Sequence, residues 1–139
     1  MTVASSRVFR VERAIGPRVE GPALISPVPF SARYDLDRES GLISRLGHPL
    51  AGESVADKIF ICPAVQGGVA AGWTFLKLAS LGVGFKGLVF GRVNPVVVQG
   101  AQAVGIPIAA GVDESIFEHV GNGAIVLLEP AALRVQLLP

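Results

Sequence analysis

The 139-residue sequence is poor in the side chains that do chemistry unaided: it holds one cysteine, two histidines, one tryptophan and one tyrosine. A lone cysteine, Cys62, permits no disulfide within the chain and excludes a thiolate-rich zinc or iron–sulfur site built from this chain alone. A single cysteine in an apolar run fits a reducing, cytoplasmic compartment. The histidines, His48 and His119, are far apart, so they make no metal site, and no Ser-His-Asp or Cys-His set can be assembled around them. Aromatic residues are 6% of the chain, too few for a base-stacking platform. Charge is scarce as well, at 17% of residues, and nearly balanced at +1. With no basic run, the electrostatic footprint of a nucleic-acid binder is missing. No apolar core follows Met1-Thr2-Val3-Ala4-Ser5-Ser6 before Arg7, Arg10 and Arg13, which predicts no signal peptide.

What the sequence does have is apolar mass and punctuation. Half the residues are hydrophobic, and 17 glycines and ten prolines interrupt them. That excludes disorder and argues against a simple helical bundle. A domain of this length buries about 70% of its unfolded surface, so residues 1–139 are expected to form one domain with a core of its own. Residues 59–76 and 93–112 are uncharged and approach membrane-spanning length. Pro63, Gln66, Gly67 and Gly68 break the first, and Asn94, Pro95, Gln99, Gln102 and Pro107 break the second. Both read as buried strand–turn–helix segments of a soluble α/β protein, with no membrane partner. So little charge on a small domain hints at a surface covered by another protein.

The first half reads as β-structure with short connections. Strands are predicted over 8–15 and 19–26, broken by Gly16-Pro17. A polar turn follows at 35–41, then Leu42-Ile43 and a loop at 48–53. The second half alternates. A strand at 58–62, apolar from Ile59 onward and so buried on both faces, leads through a loop at 63–68 into a helix over 69–81 with Gly82 as its C-cap. A strand at 87–90 leads to a second helix over 96–104, capped by Asn94, opened by Pro95 and stopped at Gly105. A short strand at 106–108, a short helix at 114–120 capped by Asp113, a turn at 121–123 and strands at 124–128 and 133–138 complete the chain. The order implies an α/β domain with a mixed or parallel sheet, helices on one side and the N-terminal strands on the other.

Two strand-to-helix junctions are candidate sites. Gln66-Gly67-Gly68-Val69 presents backbone N–H groups at a helix start, an anion-binding arrangement. The outer glycine spacing of a phosphate loop is present, Gly67 to Gly72, but Trp73-Thr74 stands where such a loop needs Lys-Ser/Thr. The alternative is a tight turn that lets helix and strand pack closely. At the second junction Arg92 can fork onto a carboxylate or phosphate, and Asn94 caps. Both junctions belong at one edge of the sheet, where a single ligand can be shared. Asp35 to Gly41 resembles the start of a calcium loop, but its glycine is one place late and Leu46 stands where the twelfth-position Glu is required, so a solvated turn is expected. His48 reads as a ligand or general acid, or as a histidine that bonds local backbone, the latter being favoured. His119, beside Glu118, reads as a surface residue at a helix end.

In order along the chain, the residues 21–26 (Gly-Pro-Ala-Leu-Ile-Ser), 48–55 (His-Pro-Leu-Ala-Gly-Glu-Ser-Val), 63–68, Asn94-Pro95-Val96-Val97 and Gly105-Ile106-Pro107 resemble the small-subunit family of the aconitase X group. The resemblance covers residues 20–112, and the His-Pro-Leu-x-Gly-Glu-Ser stretch is its most specific part. It implies a swivelling β/β/α domain that closes over an active site carried mostly by a much larger subunit. It also implies that iron or an iron–sulfur cluster is held by that large subunit, with no cofactor or metal on this chain. Known members dehydrate cis-3-hydroxy-L-proline or mevalonate 5-phosphate. The resemblance further implies a serine near the glycine loop. Where the family reads Arg-Gly-Ser, this chain reads Gln66-Gly67-Gly68, so Gly68 occupies the serine position and leaves no catalytic residue to assign. Residues 103–112 are also similar to the tail of phosphohistidine swivel domains. Val96 stands where those domains carry their histidine, so the similarity is one of fold and not of chemistry.

The resulting expectation is the small subunit of a hydro-lyase, inactive alone, with Gln66, Gly67, Gly68, Val69, Arg92 and Asn94 facing a small hydroxy acid such as cis-3-hydroxy-L-proline. The competing expectation is a non-catalytic ligand-binding or regulatory module of the same fold.

Overall fold

A computed structural model describes residues 7–139. Residues 1–6, on which the expectation of no leader and the start of the expected domain fall, lie outside the described residues. The strands are β1 (Arg7–Arg10), β2 (Arg13–Ile15), β3 (Val19–Ile25), β4 (Phe30–Ser31), β5 (Ile59–Gln66), β6 (Gly87–Arg92), β7 (Ile108–Ala110), β8 (Ile125–Glu129) and β9 (Arg134–Leu137). The helices are α1 (Val69–Ser80), α2 (Pro95–Ala103) and the short α3 (Ile116–His119). The strands form one sheet in the order β1-β9-β8-β3-β5-β6-β7-β2, with β4 added beside β5. The β3-β5-β6-β7 section is parallel, and the pairs made by β1, β2, β8 and β9 are antiparallel.

This mixed sheet agrees with the sequence reading, but the segment 8–15 is not one strand. It divides at Val11-Glu12, and its halves pair at opposite ends of the sheet. The Val11 N–H donates to Leu133 O at 3.1 Å, and the next N–H, that of Glu12, donates to Ala110 O at 3.0 Å. Adjacent residues can reach both ends only if the sheet curls back on itself. The curl brings β1, β8 and β9 over β5, β6 and β7, which makes the β/β/α layering.

Alternation along the strands seats a core on each face. Ile59 and Ile61 of β5, Val89 of β6 and Ala109 of β7 meet Phe9, Val126, Leu128 and Val135 between the strand layers. Phe60 and Cys62 of β5, with Leu88 and Phe90 of β6, meet Phe75 and Leu78 of α1 and Val97 and Ala101 of α2. Strand β5 is therefore buried on both faces, as its apolar run predicts.

Several boundaries move for identifiable reasons. β5 continues through residues 63–66, which the sequence reads as loop, because β4 pairs with Val65 and Gln66 and because Gly91 lies beside Pro63. A Cβ on Gly91 would collide with the Pro63 carbonyl. β6 likewise extends to Arg92. Both long helices end in a left-handed glycine with a Schellman pair of bonds. In α1 the Gly82 and Val83 N–H groups reach Ala79 O and Leu78 O at 3.1 and 3.0 Å; in α2 the Gly105 and Ile106 N–H groups reach Gln102 O and Ala101 O at 3.1 and 3.0 Å. That second cap occupies Ile106, so β7 starts at Ile108 rather than at 106. α3 is shorter than 114–120 because the Asp113 carboxylate accepts from the Ser115 N–H at 2.9 Å and holds the first residues in a turn. Residues 32–58 are mostly turns joined by the isolated bridges Leu36–Ile43 and Leu42–Ser54, not strands with short connections. The turn at 35–41 is only partly solvated. Asp35 and Leu36 are buried, and Leu36, Ile43, Leu50 and Val55 extend the helix-side core.

The helices cross at Gly72 and Gly100. A Cβ on Gly100 would lie 2.6 Å from the Gly72 Cα. Replacement Gly100→Ala is expected to lower stability in urea unfolding by about 1–3 kcal/mol, the cost of overpacking, despite the better helix propensity of alanine. Gly121 has nothing within 4 Å of such a Cβ, and Gly121→Ala is the control expected to change stability by about 0.5 kcal/mol or less.

Candidate functional site

The two strand-to-helix junctions lie side by side because β5 and β6 are adjacent and parallel, with Ala64 opposite Arg92. At the first, Gln66 ends β5, Gly67 turns the chain at φ 91° and Gly68 is the N-cap of α1. Gly68 supplies no side-chain cap, and its carbonyl takes the Ala71 and Gly72 N–H groups at 3.1 and 3.4 Å. At the second, Asn94 caps α2 as predicted, its Oδ1 accepting from the Val97 N–H at 3.0 Å. Its Nδ2 donates to the Gly67 carbonyl at 2.5 Å. One side chain thus caps one helix and fixes the turn that opens the other. The structure brings Gln66, Gly67, Gly68, Val69, Arg92 and Asn94 to one edge, where the N-termini of α1 and α2 favour negative charge. Arg92 is exposed and enters none of the ion pairs found among the described residues.

The rim of this edge is apolar. Val69 and Trp73, one turn apart on α1, are 67% and 64% exposed, and Val96 on α2 stands beside Gly68. A Cβ on Gly68 would meet Val96 Cγ1 at 3.6 Å, an ordinary contact, so the turn has room for a side chain there.

A second group of polar residues flanks the first. The Asp35 carboxylate, buried, accepts from the Ser31 N–H at 2.8 Å and from Arg45 Nη1 at 3.0 Å. His48 does bond local backbone, its Nδ1 accepting from the Leu50 N–H at 3.0 Å. Together with Arg45 and Gln66, Asp35 and His48 line a cleft of about 450 Å³. No local sequence signal places Arg45 or Asp35 beside Gln66; the pairing of β4 with β5, which sets Ser31 opposite Gln66, does so. His119 is exposed at the end of α3, with its ring stacked 6.3 Å from Phe9. Asp37 accepts from the Glu39 N–H at 2.9 Å, and this bond holds its carboxyl below the usual range.

These residues do not fit an iron or iron–sulfur centre. Among those described, no group of three or more His, Cys, Asp or Glu is placed to hold a metal ion. Cys62 is buried, its Sγ–H donates to Ala64 O at 3.0 Å, and burial pushes the thiol up to about 12. A thiolate ligand is what such a site suppresses. No helix among the described residues is long and apolar enough to cross a membrane.

Two strand layers under one helix layer, with two helix starts side by side at one edge, define a swivelling β/β/α domain. The chain belongs to the aconitase X swivel domain family, whose model matches residues 8–137. The phosphomevalonate dehydratase small subunit of Methanocaldococcus jannaschii is 32% identical over 120 residues, covering 86% of this chain and 89% of that protein. Its counterpart in Pyrococcus abyssi is 30% identical over 120 residues, covering 86% and 90%. The crystal structure of Thermococcus kodakaraensis aconitase X in its holo form matches with a TM-score of 0.86 at 24% identity, covering 96% of this chain and 99% of that one. This last likeness is one of fold.

Asn94→Ala is expected to cost about 1–2 kcal/mol in urea unfolding, as for a lost N-cap. Asn94→Asp keeps an acceptor for Val97 but loses the donor to Gly67. It should restore most of that stability while leaving amide exchange at Gly67 to Val69 faster than in the parent. Full protection in the Asp variant would show that the tie between junctions is immaterial. Native Cys62 is expected to resist iodoacetamide near pH 9, where a free thiol is half ionised, and to react once the chain is unfolded; mass spectrometry counts the adducts.

Proposed function

We propose that this chain is the small subunit of an aconitase X type hydro-lyase, a single swivel unit working in the cytoplasm and inactive alone. In this reading it closes over an active site whose metal or iron–sulfur centre and most ligands belong to a large subunit. The observation that carries the reading is the Asn94–Gly67 bond, which fuses two helix starts into one anion-facing edge. The exposed Val69, Trp73 and Val96 around that edge are the surface the large subunit covers.

Dehydration of a hydroxy acid needs a base for the acidic proton and a Lewis acid for the leaving hydroxyl. This chain's part is to bind and orient. The Arg92 guanidinium forks onto the substrate carboxylate, and the N–H groups at the start of α1 hold its second oxygen. Gly68 has no proton acceptor to offer, so the base comes from outside the Gln66–Val69 turn. The substrate class is a small hydroxy acid. Gln66 gives the turn no cation for a phosphate, which favours cis-3-hydroxy-L-proline; the relatives, whose names specify phosphomevalonate, make that compound the second to assay. The second reading, a non-catalytic binding or regulatory module, draws on the same bare Gly68.

A tagged chain recovered from its native cells is expected to bring down a stoichiometric large aconitase-like protein with iron. A chain that returns alone and metal-free from cells expressing such a protein would remove the hydro-lyase reading. In the complex, Arg92→Ala should abolish turnover without releasing the subunit, whereas Trp73→Ala should weaken association roughly tenfold or more, as for a truncated interface anchor. Should the parent complex be inactive and Gly68→Ser confer turnover, the non-catalytic reading holds.

A further inference from the structure

Among the described residues, His48 Nε2 is the only buried side-chain nitrogen or oxygen with no hydrogen-bond partner. The residue is 8% exposed. Its other ring nitrogen is committed, since Nδ1 accepts from the Leu50 N–H at 3.0 Å. An imidazole nitrogen that accepts carries no proton, so in the neutral ring the proton is on Nε2. His48 therefore offers a donor of fixed tautomer, not a base. A buried donor left unpaired is costly, and no acceptor for it comes from within the described chain.

The cleft that His48 lines supplies the context. Its wall includes Arg45, whose Nη1 is held 3.0 Å from Asp35 Oδ1 while 61% of its side chain stays exposed. A guanidinium has five N–H donors in a fixed fork, so the bond to Asp35 positions Arg45 and leaves donors over. Gln66 lines the same cleft and is followed directly by Gly67 and Gly68. Nε2 is screened from water in the free chain, but the turn before His48 is lightly packed. Leu46 is 94% exposed, and Gly47, at φ 84°, has nothing within 4 Å of a would-be Cβ. A ligand oxygen reaches the ring by moving that turn rather than the core.

We propose that this cleft is a subsite for an anionic group of the substrate, a carboxylate or a phosphate, bound by the His48 Nε2–H and the Arg45 guanidinium. Gln66 joins it to the Gly67–Gly68 turn, so a substrate that carries two anionic groups spans both sites, and one with a single carboxylate fills only one of them. The proposal rests on the reading of that turn as substrate-facing. Because Asp35 offsets the charge of Arg45, the subsite selects by donor geometry rather than by net charge. A singly charged carboxylate is therefore bound more tightly than inorganic phosphate.

The test is ¹⁵N NMR of the imidazole nitrogens in the full chain, titrated separately with glycolate and with inorganic phosphate; His119 is the internal control. Saturable movement of the His48 Nε2 signal, with that of His119 still, is expected for glycolate at lower concentration than for phosphate. His48→Asn keeps an acceptor for the Leu50 N–H and removes the Nε2 donor, so it should fold and weaken glycolate binding roughly tenfold or more; Arg45→Leu should do the same. A still His48 signal with both anions, or undiminished binding in His48→Asn, overturns the subsite. Phosphate binding ahead of glycolate overturns the selectivity assigned to Asp35. In the reconstituted complex His48→Asn should raise KM without loosening subunit association. Normal association with unchanged KM sinks this subsite alone. An anion response without any association leaves the subsite standing and sinks the subunit reading.

Discussion

Burial of β5 on both faces is the constraint from which the rest of the molecule follows. Ile59 and Ile61 point into the core between strand layers, and Phe60 and Cys62 into the core beneath the helices. Each large side chain so placed contributes about 1.5–3 kcal/mol of burial. The same strand pairs with β3, β4 and β6, so its last residue is fixed from several directions. Gln66, Gly67 and Gly68 are held in place because the strand leading to them has no freedom to slip. A one-residue shift would send Ile59 and Phe60 to each other's cores.

The division of labour at the site follows from what surrounds it. The edge has helix N-termini, Arg92 and two amides, Asn94 and Gln66, and among the described residues no metal-ligating set stands beside them. Groups of this kind orient an anion and shape a closed space. The apolar rim of Val69, Trp73 and Val96 beside that edge is a surface suited to meeting a partner protein.

Much of this was legible in sequence wherever chemistry is local. Asn94-Pro95 announces a helix start because the cap and the proline act within one turn. Gly82 and Gly105 announce helix ends because a left-handed residue is needed there. The apolar run at 58–62 announces a strand buried on both faces. What sequence left hidden depends on partners distant along the chain. Nothing local says that Val11 and Glu12 bond to opposite ends of a sheet, that Asp35 is buried against Arg45 and the Ser31 N–H, or that Pro63 continues a strand because Gly91 makes room. Asn94 was readable as a cap; its second bond, to Gly67, was not, since β5 and β6 first had to be placed side by side. The His48 cleft is of the same kind, assembled by β4 from residues 28 to 66.

The curl that joins Val11 and Glu12 to the two ends of the sheet also sets an order in time. Among the described residues β1 pairs only with β9, Phe9 lying opposite Val135, so a strand made well before its partner stays unpaired until residues 134–137 have been added. Loop closure over that separation is entropically slow, and topologies rich in such contacts fold late. During translation the parallel section β3-β5-β6-β7 can assemble first, with α1 and α2 on its outer face, while the inner face of Ile59, Ile61 and Val89 waits uncovered for β8 and β9. Residues 125–137 are the lid of that core, and the segments made before them stay open on one face until β8 and β9 arrive.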